Sequence, residues 1–321
     1  MKFRLLGRTG LNVSEVGMGC WEIGGDFWKS TDEKSMESLK TAAKLGINFF
    51  DTAFDYGQGH SEQIVGKFLK ENSERKRNIV VATKVPPKDG HWPAIDNDIQ
   101  NAFPKDHIME YAMKSYKNLG ERTIDLLQLH VWRDEWVNET CWQEAFSELK
   151  DDGIIKFVGV SINDHSPGSA VKIAASGKID SLQAIYNIFD QSPEDKLFEV
   201  CMKSKVGVIA RVPFDEGSLA GKFTEKTKFD DWRKDYFAGE RLKETVIRVE
   251  KLRWLEKSGR TLSQAALQFC LHHPAVTTVI PGSTNPKHIE ENAGAAEGSL
   301  TEKEVEKLKS HRWSRNFYKQ W

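Results

Sequence analysis

At 321 residues the chain exceeds the usual size of a single core, and an all-parallel barrel is the architecture that runs to such lengths as one domain. Charged residues make up 29% with a formal net charge of -1, so no basic excess is present to neutralise nucleic-acid phosphates or an anionic membrane. Cys20, Cys141, Cys201 and Cys270 form no CxxC, no run reaches membrane-spanning length, and MKFRLLGRTGLNV carries no apolar leader; a soluble cytoplasmic protein with reduced thiols is expected.

Taken in order, residues 2–7 and 11–16 flank the turn signal Arg8-Thr9-Gly10 and predict a β-hairpin. Residues 16–20 read as a first strand. Ser30 with Glu33 is a capping-box pattern opening a helix that Gly46 stops. Strands follow at 47–51, 78–84, 123–130, 154–161, 181–186, 206–210 and 276–280. Helices alternate with them at 61–69, from a cap at Asp106, at 144–149, at 171–175, and from a capping box at Thr261 and Gln264 through 271. Asn285-Pro286 opens a helix to about 293, and Thr301 with Glu304 caps a last one through 308.

Eight apolar strands without clean alternation imply burial on both faces, and repeated strand–helix units imply a parallel sheet. The expected fold is α/β, a (β/α)8 TIM barrel with an N-terminal hairpin and extra C-terminal helices, in one domain over 1–321. No GxGxxG follows the first strand, which disfavours an open dinucleotide-binding sheet. Residues 212–260, including a helix near 240–256, form a long insertion before the last repeat and read as a functional loop.

In such a barrel, chemistry sits at the C-terminal ends of the strands. Read there, the second to fourth runs deliver Asp51 with Tyr56 just beyond, then Lys84, then His130. Singly, Asp51 can be a helix cap, Lys84 a snorkelling surface residue and His130 a core histidine. Together they can reduce a carbonyl with a nicotinamide cofactor. Tyr56 supplies the proton, and Lys84 lowers a phenol pKa that is ordinarily about 10. Asp51 pairs with Lys84, and His130 donates a hydrogen bond to the carbonyl oxygen. Run in reverse, the same groups serve as bases in alcohol oxidation.

The segments FFDTAFDYGQGHSE, VATKV, LQLHVW and IPGSTNPKHIEENAGA resemble the aldo-keto reductases, over essentially the whole chain. In that resemblance Asp51, Tyr56, Lys84 and His130 match the catalytic tetrad, and the sugar- and aldehyde-acting bacterial branch is the nearest flavour. It implies an NAD(P)H-dependent oxidoreductase acting on an aldehyde, ketone or sugar carbonyl, or on the corresponding alcohol. For the nicotinamide end it implies Ser161, Asn163, Gln183 and Arg211. The family's adjacent Ser-Asn is here Ser161-Ile162-Asn163, one residue longer, and Arg211 stands where an aromatic residue commonly stacks. For the pyrophosphate it implies Gly217, Leu219, Gly221 and Lys222. For the adenosine end it implies Gly282, Ser283, Thr284, His288, Glu291 and Asn292. Members preferring NADPH often carry arginine where Thr284 stands, and Lys287 can supply the charge instead. NADP or NAD both fit, with a slight lean to NADP.

Trp21, Phe54, Trp92 and Trp132 are the expected substrate walls. The tail HRWSRNFYKQW is too aromatic and basic to hang free and should pack on the barrel or on a partner subunit, the chain being a monomer or a homo-oligomer. The alternative reading is a nicotinamide-sensing regulatory subunit with the same fold. A metal-dependent isomerase or hydrolase would need a carboxylate and histidine cluster that these residues do not offer.

Overall fold

The computed structural model describes residues 1–25, 30–72, 78–96, 98–257 and 259–318. A hairpin opens the chain, β1 (Phe3–Leu5) against β2 (Asn12–Ser14), turned by Gly7 and Gly10, both at positive φ. Eight parallel strands follow: β3 (Met18–Gly19), β4 (Phe49–Asp51), β5 (Val80–Val85), β6 (Ile124–Leu129), β7 (Ile155–Ser161), β8 (Ser181–Ile185), β9 (Gly207–Arg211) and β10 (Val276–Val279). They pair in sequence order, and parallel bridges from Val16 to Val279 and from Gly19 to Gly282 join the last strand to the first. The result is the expected (β/α)8 barrel.

Helices cover the outside: α1 (Asp32–Lys44), α2 (His60–Glu71), the single turn α3 (Ile99–Ala102), α4 (Lys105–Asn118), α5 (Thr140–Asp151), α6 (Val171–Ala175) and α7 (Leu197–Ser204). The long segment after β9 holds α8 (Arg233–Tyr236), α9 (Arg241–Glu250) and α10 (Leu262–His272); α11 (Pro286–Gly294) and α12 (Glu302–Lys309) follow β10. No helix among the described residues is long and apolar enough to cross a membrane. All four cysteines are buried and unpaired.

The hydrophobic residues divide into two bodies. A large cluster fills the layer between strands and helices, and a small one containing Phe49, Val80, Ala82, Leu126, Ile209 and Ile280 fills the barrel itself. Leu6 and Val13 of the hairpin belong to the small cluster, so the hairpin plugs the barrel floor. Side chains on a strand alternate. Residues two positions beyond these floor groups therefore point inward above them, which places Asp51, Lys84, Gln128 and Arg211 in the next layer.

Three local expectations shift. The cap of α1 is Thr31, not Ser30: Thr31 has the extended backbone a cap needs and accepts from the Lys34 amide, while Ser30 pairs with the Ser35 hydroxyl. Pro104 takes the cap position of α4, and Asp106 lies in the first turn, where its charge suits the helix dipole. The helix expected near 240–256 ends as α9 at Glu250, with a separate turn at Arg253–Leu255.

The capping boxes at Thr261 and Thr301 form as expected. At the second, Glu304 accepts from the Thr301 amide at 2.8 Å and also pairs with Arg260 at 2.6 Å and Lys257 at 2.8 Å. Replacing Thr301 by alanine should cost about 1 kcal/mol of stability, read as a lower urea midpoint with an unchanged slope.

Candidate active site

Asp51 ends β4, Lys84 is the penultimate residue of β5, and His130 directly follows β6. Beyond Asp51 the chain turns through Tyr56 and Gly57, and the Trp21–Gly24 segment packs against that turn. A Cβ on Gly24 would lie 2.7 Å from the Tyr56 carbonyl carbon, and one on Gly57, which has φ 68°, would lie 2.4 Å from the Gly24 oxygen. Only glycine allows this approach.

Lys84 is the hub of the resulting cluster. Its Nζ donates to Asp51 Oδ1 at 2.5 Å, to the Thr52 carbonyl at 2.7 Å and to Tyr56 Oη at 3.3 Å. Asp51 Oδ2 in turn accepts from Gln183 at 2.8 Å and Gln128 at 3.3 Å. The His130 ring lies edge-on to Tyr56, with centroids 5.9 Å apart, and perpendicular to Trp92 at 4.3 Å.

Burial alone would depress the Lys84 ammonium, but Asp51 and Tyr56 outweigh it and hold it above lysine's usual value. Burial pushes the Tyr56 phenol up, and Lys84 pulls it only part of the way back. The expected net lowering of Tyr56 is thus reversed, because desolvation exceeds the pull of the ammonium. Burial, then Lys84 and Arg211, keeps His130 well below histidine's ordinary value, so its imidazole is neutral. At neutral pH the cluster is a protonated phenol against an ammonium, beside an uncharged imidazole.

These groups open into a cavity of about 1100 Å³ that runs past the loop after β9 to the start of α11. That volume exceeds what one small metabolite needs and suits an elongated ligand with a substrate beside it. Ser161, Gln183, Arg211, Gly217, Lys222, Gly282, Ser283, Thr284, His288, Glu291 and Asn292 line it, as do Trp21 and Trp92. Lys222 Nζ lies 3.2 Å from His288 Nε2, so two segments 66 residues apart share one wall. Arg211 donates to the Ile162 carbonyl at 2.9 Å and to Asp164 at 2.7 Å, and its Nε is buried without a partner. The donor set fits a dinucleotide: amide and guanidinium groups near Tyr56, glycine and a cation midway, and a helix N-terminus at the far end. Among the described residues, no group of three or more His, Cys, Asp or Glu side chains is placed to hold a metal.

Two expected wall residues, Trp132 and Phe54, and three expected cofactor contacts, Asn163, Leu219 and Gly221, lie outside the cavity lining. Trp132 is fully buried and packs edge-to-face on Trp136 and Trp142, because the chain after His130 turns into the outer layer. Phe54 packs on Tyr111 of α4, outside the cavity. Asn163 Oδ1 accepts from the Ala94 amide and tethers the Trp92 loop. Leu219 is buried beneath its loop, and Gly221 offers its carbonyl to Arg253.

Other lining residues come from segments that motif reading leaves aside. Trp232 lies 5.8 Å from Trp21 and stacks on Tyr318 at 6.0 Å. Tyr318 donates to Glu216, and Arg315 pairs with Asp215 at 2.6 Å, so the tail folds over the barrel mouth against the loop after β9. Its aromatic composition predicts packing on the barrel, as found; its place in the cavity wall is what the sequence leaves open. Residues 319–321 of that tail lie outside the described residues. Glu22 and Asp55 also line the cavity; Asp55 lies within FFDTAFDYG, where sequence alone gives it no role.

The family model for the aldo/keto reductase family matches residues 15–312. The chain belongs to that family. It is 32% identical to the aldo-keto reductase YhdN of Bacillus subtilis over 297 residues, covering 90% of this chain and 87% of the relative. It is 27% identical to the versiconal hemiacetal acetate reductase of Aspergillus parasiticus over 337 residues, covering 96% of each. Among solved structures it resembles an aldo-keto reductase from Bacillus halodurans in its holo form, with TM-score 0.76, 30% identity and coverage of 97% and 96%. A glycerol dehydrogenase from Gluconobacter oxydans superposes with TM-score 0.79 at 27% identity, covering 96% and 94%. Membership supports an oxidoreductase and is consistent with reduction or oxidation of a carbonyl or sugar.

Because Trp132 is core, replacing it by alanine should cost about 3–5 kcal/mol of stability. The same change at Trp92 should cost far less. Chemical denaturation of the two variants checks the contrast; a loss at Trp132 below about 1 kcal/mol would return it to the cleft wall.

Proposed function

We propose that this chain is an NAD(P)H-dependent reductase of small-molecule aldehydes, ketones or sugars, working in reverse as an alcohol dehydrogenase, with Tyr56 as the proton donor. The observation that carries the reading is Lys84 Nζ bonded at once to Asp51 and to Tyr56, with a neutral His130 beside them.

The nicotinamide, when bound, supplies or accepts the hydride. Tyr56 Oη gives its proton to the carbonyl oxygen, and the Lys84 ammonium 3.3 Å away stabilises the phenolate that remains. Asp51, fixed by Gln128 and Gln183, keeps Lys84 in place. A neutral His130 donates to the carbonyl oxygen without competing as an acid. Ser161, Gln183 and Arg211 would hold the carboxamide end. Gly217 and Lys222 would hold the pyrophosphate, and Ser283, Thr284, His288, Glu291 and Asn292 the adenosine. Trp21 and Trp92 would shield the reacting carbonyl from water. The four unpaired cysteines suit a reducing cytoplasm.

For the cofactor's identity the reading turns toward NADH. Glu22 Oε2 accepts from the Thr284 amide at 3.0 Å, so a carboxylate already serves the approach to α11. Burial raises the Glu22 carboxyl, and Thr284 and Arg233 oppose that rise; a 2′-phosphate at that end would meet its oxygens, whereas a 2′-hydroxyl can donate to them.

Tyr56→Phe should cut kcat by about a hundredfold or more while leaving nucleotide affinity, read by tryptophan quenching, nearly unchanged. A carbonyl and sugar panel followed by loss of reduced-cofactor absorbance tests the reaction itself, and turnover by the phenylalanine variant at the wild-type rate would remove Tyr56 from the mechanism. In quenching titrations the wild type should bind NADH more tightly than NADPH, and Glu22→Gln should narrow that ratio about tenfold. Tighter NADPH binding by the wild type would reverse the assignment.

A further inference from the structure

Asp55 immediately precedes Tyr56 and lines the cavity beside it. Its Oδ2 lies 3.8 Å from His130 Nδ1, too far for a hydrogen bond. That nitrogen is buried without a partner, on a residue only 7% exposed. Among the described residues, none donates a hydrogen bond to the Asp55 carboxylate. Lys84, the cation nearest in effect, is taken by Asp51 at 2.5 Å, and of the charged groups lining the same cavity Arg211 is paired with Asp164 at 2.7 Å, Glu216 with Tyr318 and Glu22 with Thr284.

Burial and then Glu62 push the Asp55 carboxyl up to about 6, with Lys84 opposing, so it is mostly ionised at neutral pH. A half-sheltered carboxylate lacking donors favours a ligand that brings one and repels an anion. Trp21, 6.1 Å from Tyr56, and Trp92 against His130 present aromatic faces on the same space. Such faces suit sugar C–H groups and ammonium ions, not carboxylates.

We propose that Asp55 is a specificity-determining residue that selects carbonyl substrates bearing a hydrogen-bond donor, hydroxyl or ammonium, near the carbonyl, and rejects substrates bearing a carboxylate there. The proposal rests on the reductase reading above. It gives that reading a substrate class through rejection as well as attraction.

The test measures kcat/KM for propanal, glyceraldehyde, 3-aminopropanal and glyoxylate with wild type, Asp55→Asn and Asp55→Leu. Wild type should prefer glyceraldehyde or 3-aminopropanal to propanal and turn over glyoxylate worst. Asp55→Leu should lower the preferred donor's ratio to propanal about tenfold and raise the glyoxylate ratio by a similar factor. Asparagine keeps an acceptor oxygen but no charge. A hydroxyl preference should therefore largely survive in Asp55→Asn, whereas an ammonium preference should collapse, which tells the two donors apart. Ratios that stay fixed while all four rates fall together would overturn the proposal, showing Asp55 to act only on the geometry of Tyr56 and His130. Propanal turnover with unaltered ratios would overturn it while leaving the reductase reading intact. No turnover of these aldehydes or of any member of the carbonyl and sugar panel above would remove both.

Discussion

A lysine ammonium in the middle of a barrel is the constraint around which this molecule is arranged. Lys84 is fully buried, and such a charge persists only with a counter-ion and filled hydrogen bonds. Asp51 provides the charge and the Thr52 carbonyl a second acceptor; Gln128 and Gln183 from two further strands hold the aspartate. The third bond of Lys84 goes to Tyr56, whose side chain opens on the cavity. Structural necessity and chemistry thus coincide: the pairing that makes the lysine tolerable also fixes it beside the phenol.

The layers below and above follow from that cluster. Beneath it the barrel is apolar, sealed by Leu6 and Val13 of the hairpin. Above it the cavity is walled by groups from the strand ends, the long segment after β9 and the tail. The tail is tied there by Arg315 to Asp215 and by Tyr318 to Glu216. Glu216, pushed up to about 7 by burial, keeps its place because the phenol donates to it. Val212, Asp215 and Glu216 all take positive φ, a conformation that costs non-glycine residues energy and that the packed tail helps to hold.

Much of this was readable from one dimension. The eight apolar runs, the two capping boxes and the polar residues ending the second to fourth strands are local patterns, and local patterns survive folding when burial and periodicity agree. The resemblance carried by FFDTAFDYG, VATKV and LQLHVW gave the order of the four central residues. The cap of α1 falls one residue later than its sequence pattern indicates because Thr31 takes the Lys34 amide while the Ser30 hydroxyl pairs with Ser35.

What only the tertiary structure decided concerns partners far apart in sequence and the side of a turn on which a residue falls. Trp92 and Trp132 look alike as aromatic residues following a polar strand end, yet one faces the cavity and the other is sealed between Trp136 and Trp142. Glu22 meets Thr284 across 262 residues, and Tyr318 meets Glu216 across 102. The net rise of the Tyr56 pKa is of the same kind. The sequence by itself determined which residues could be charged, apolar or reactive, because those are properties of side chains. Depth of burial and long-range pairing are properties of the packed whole, and they settled which of those capacities each residue expresses.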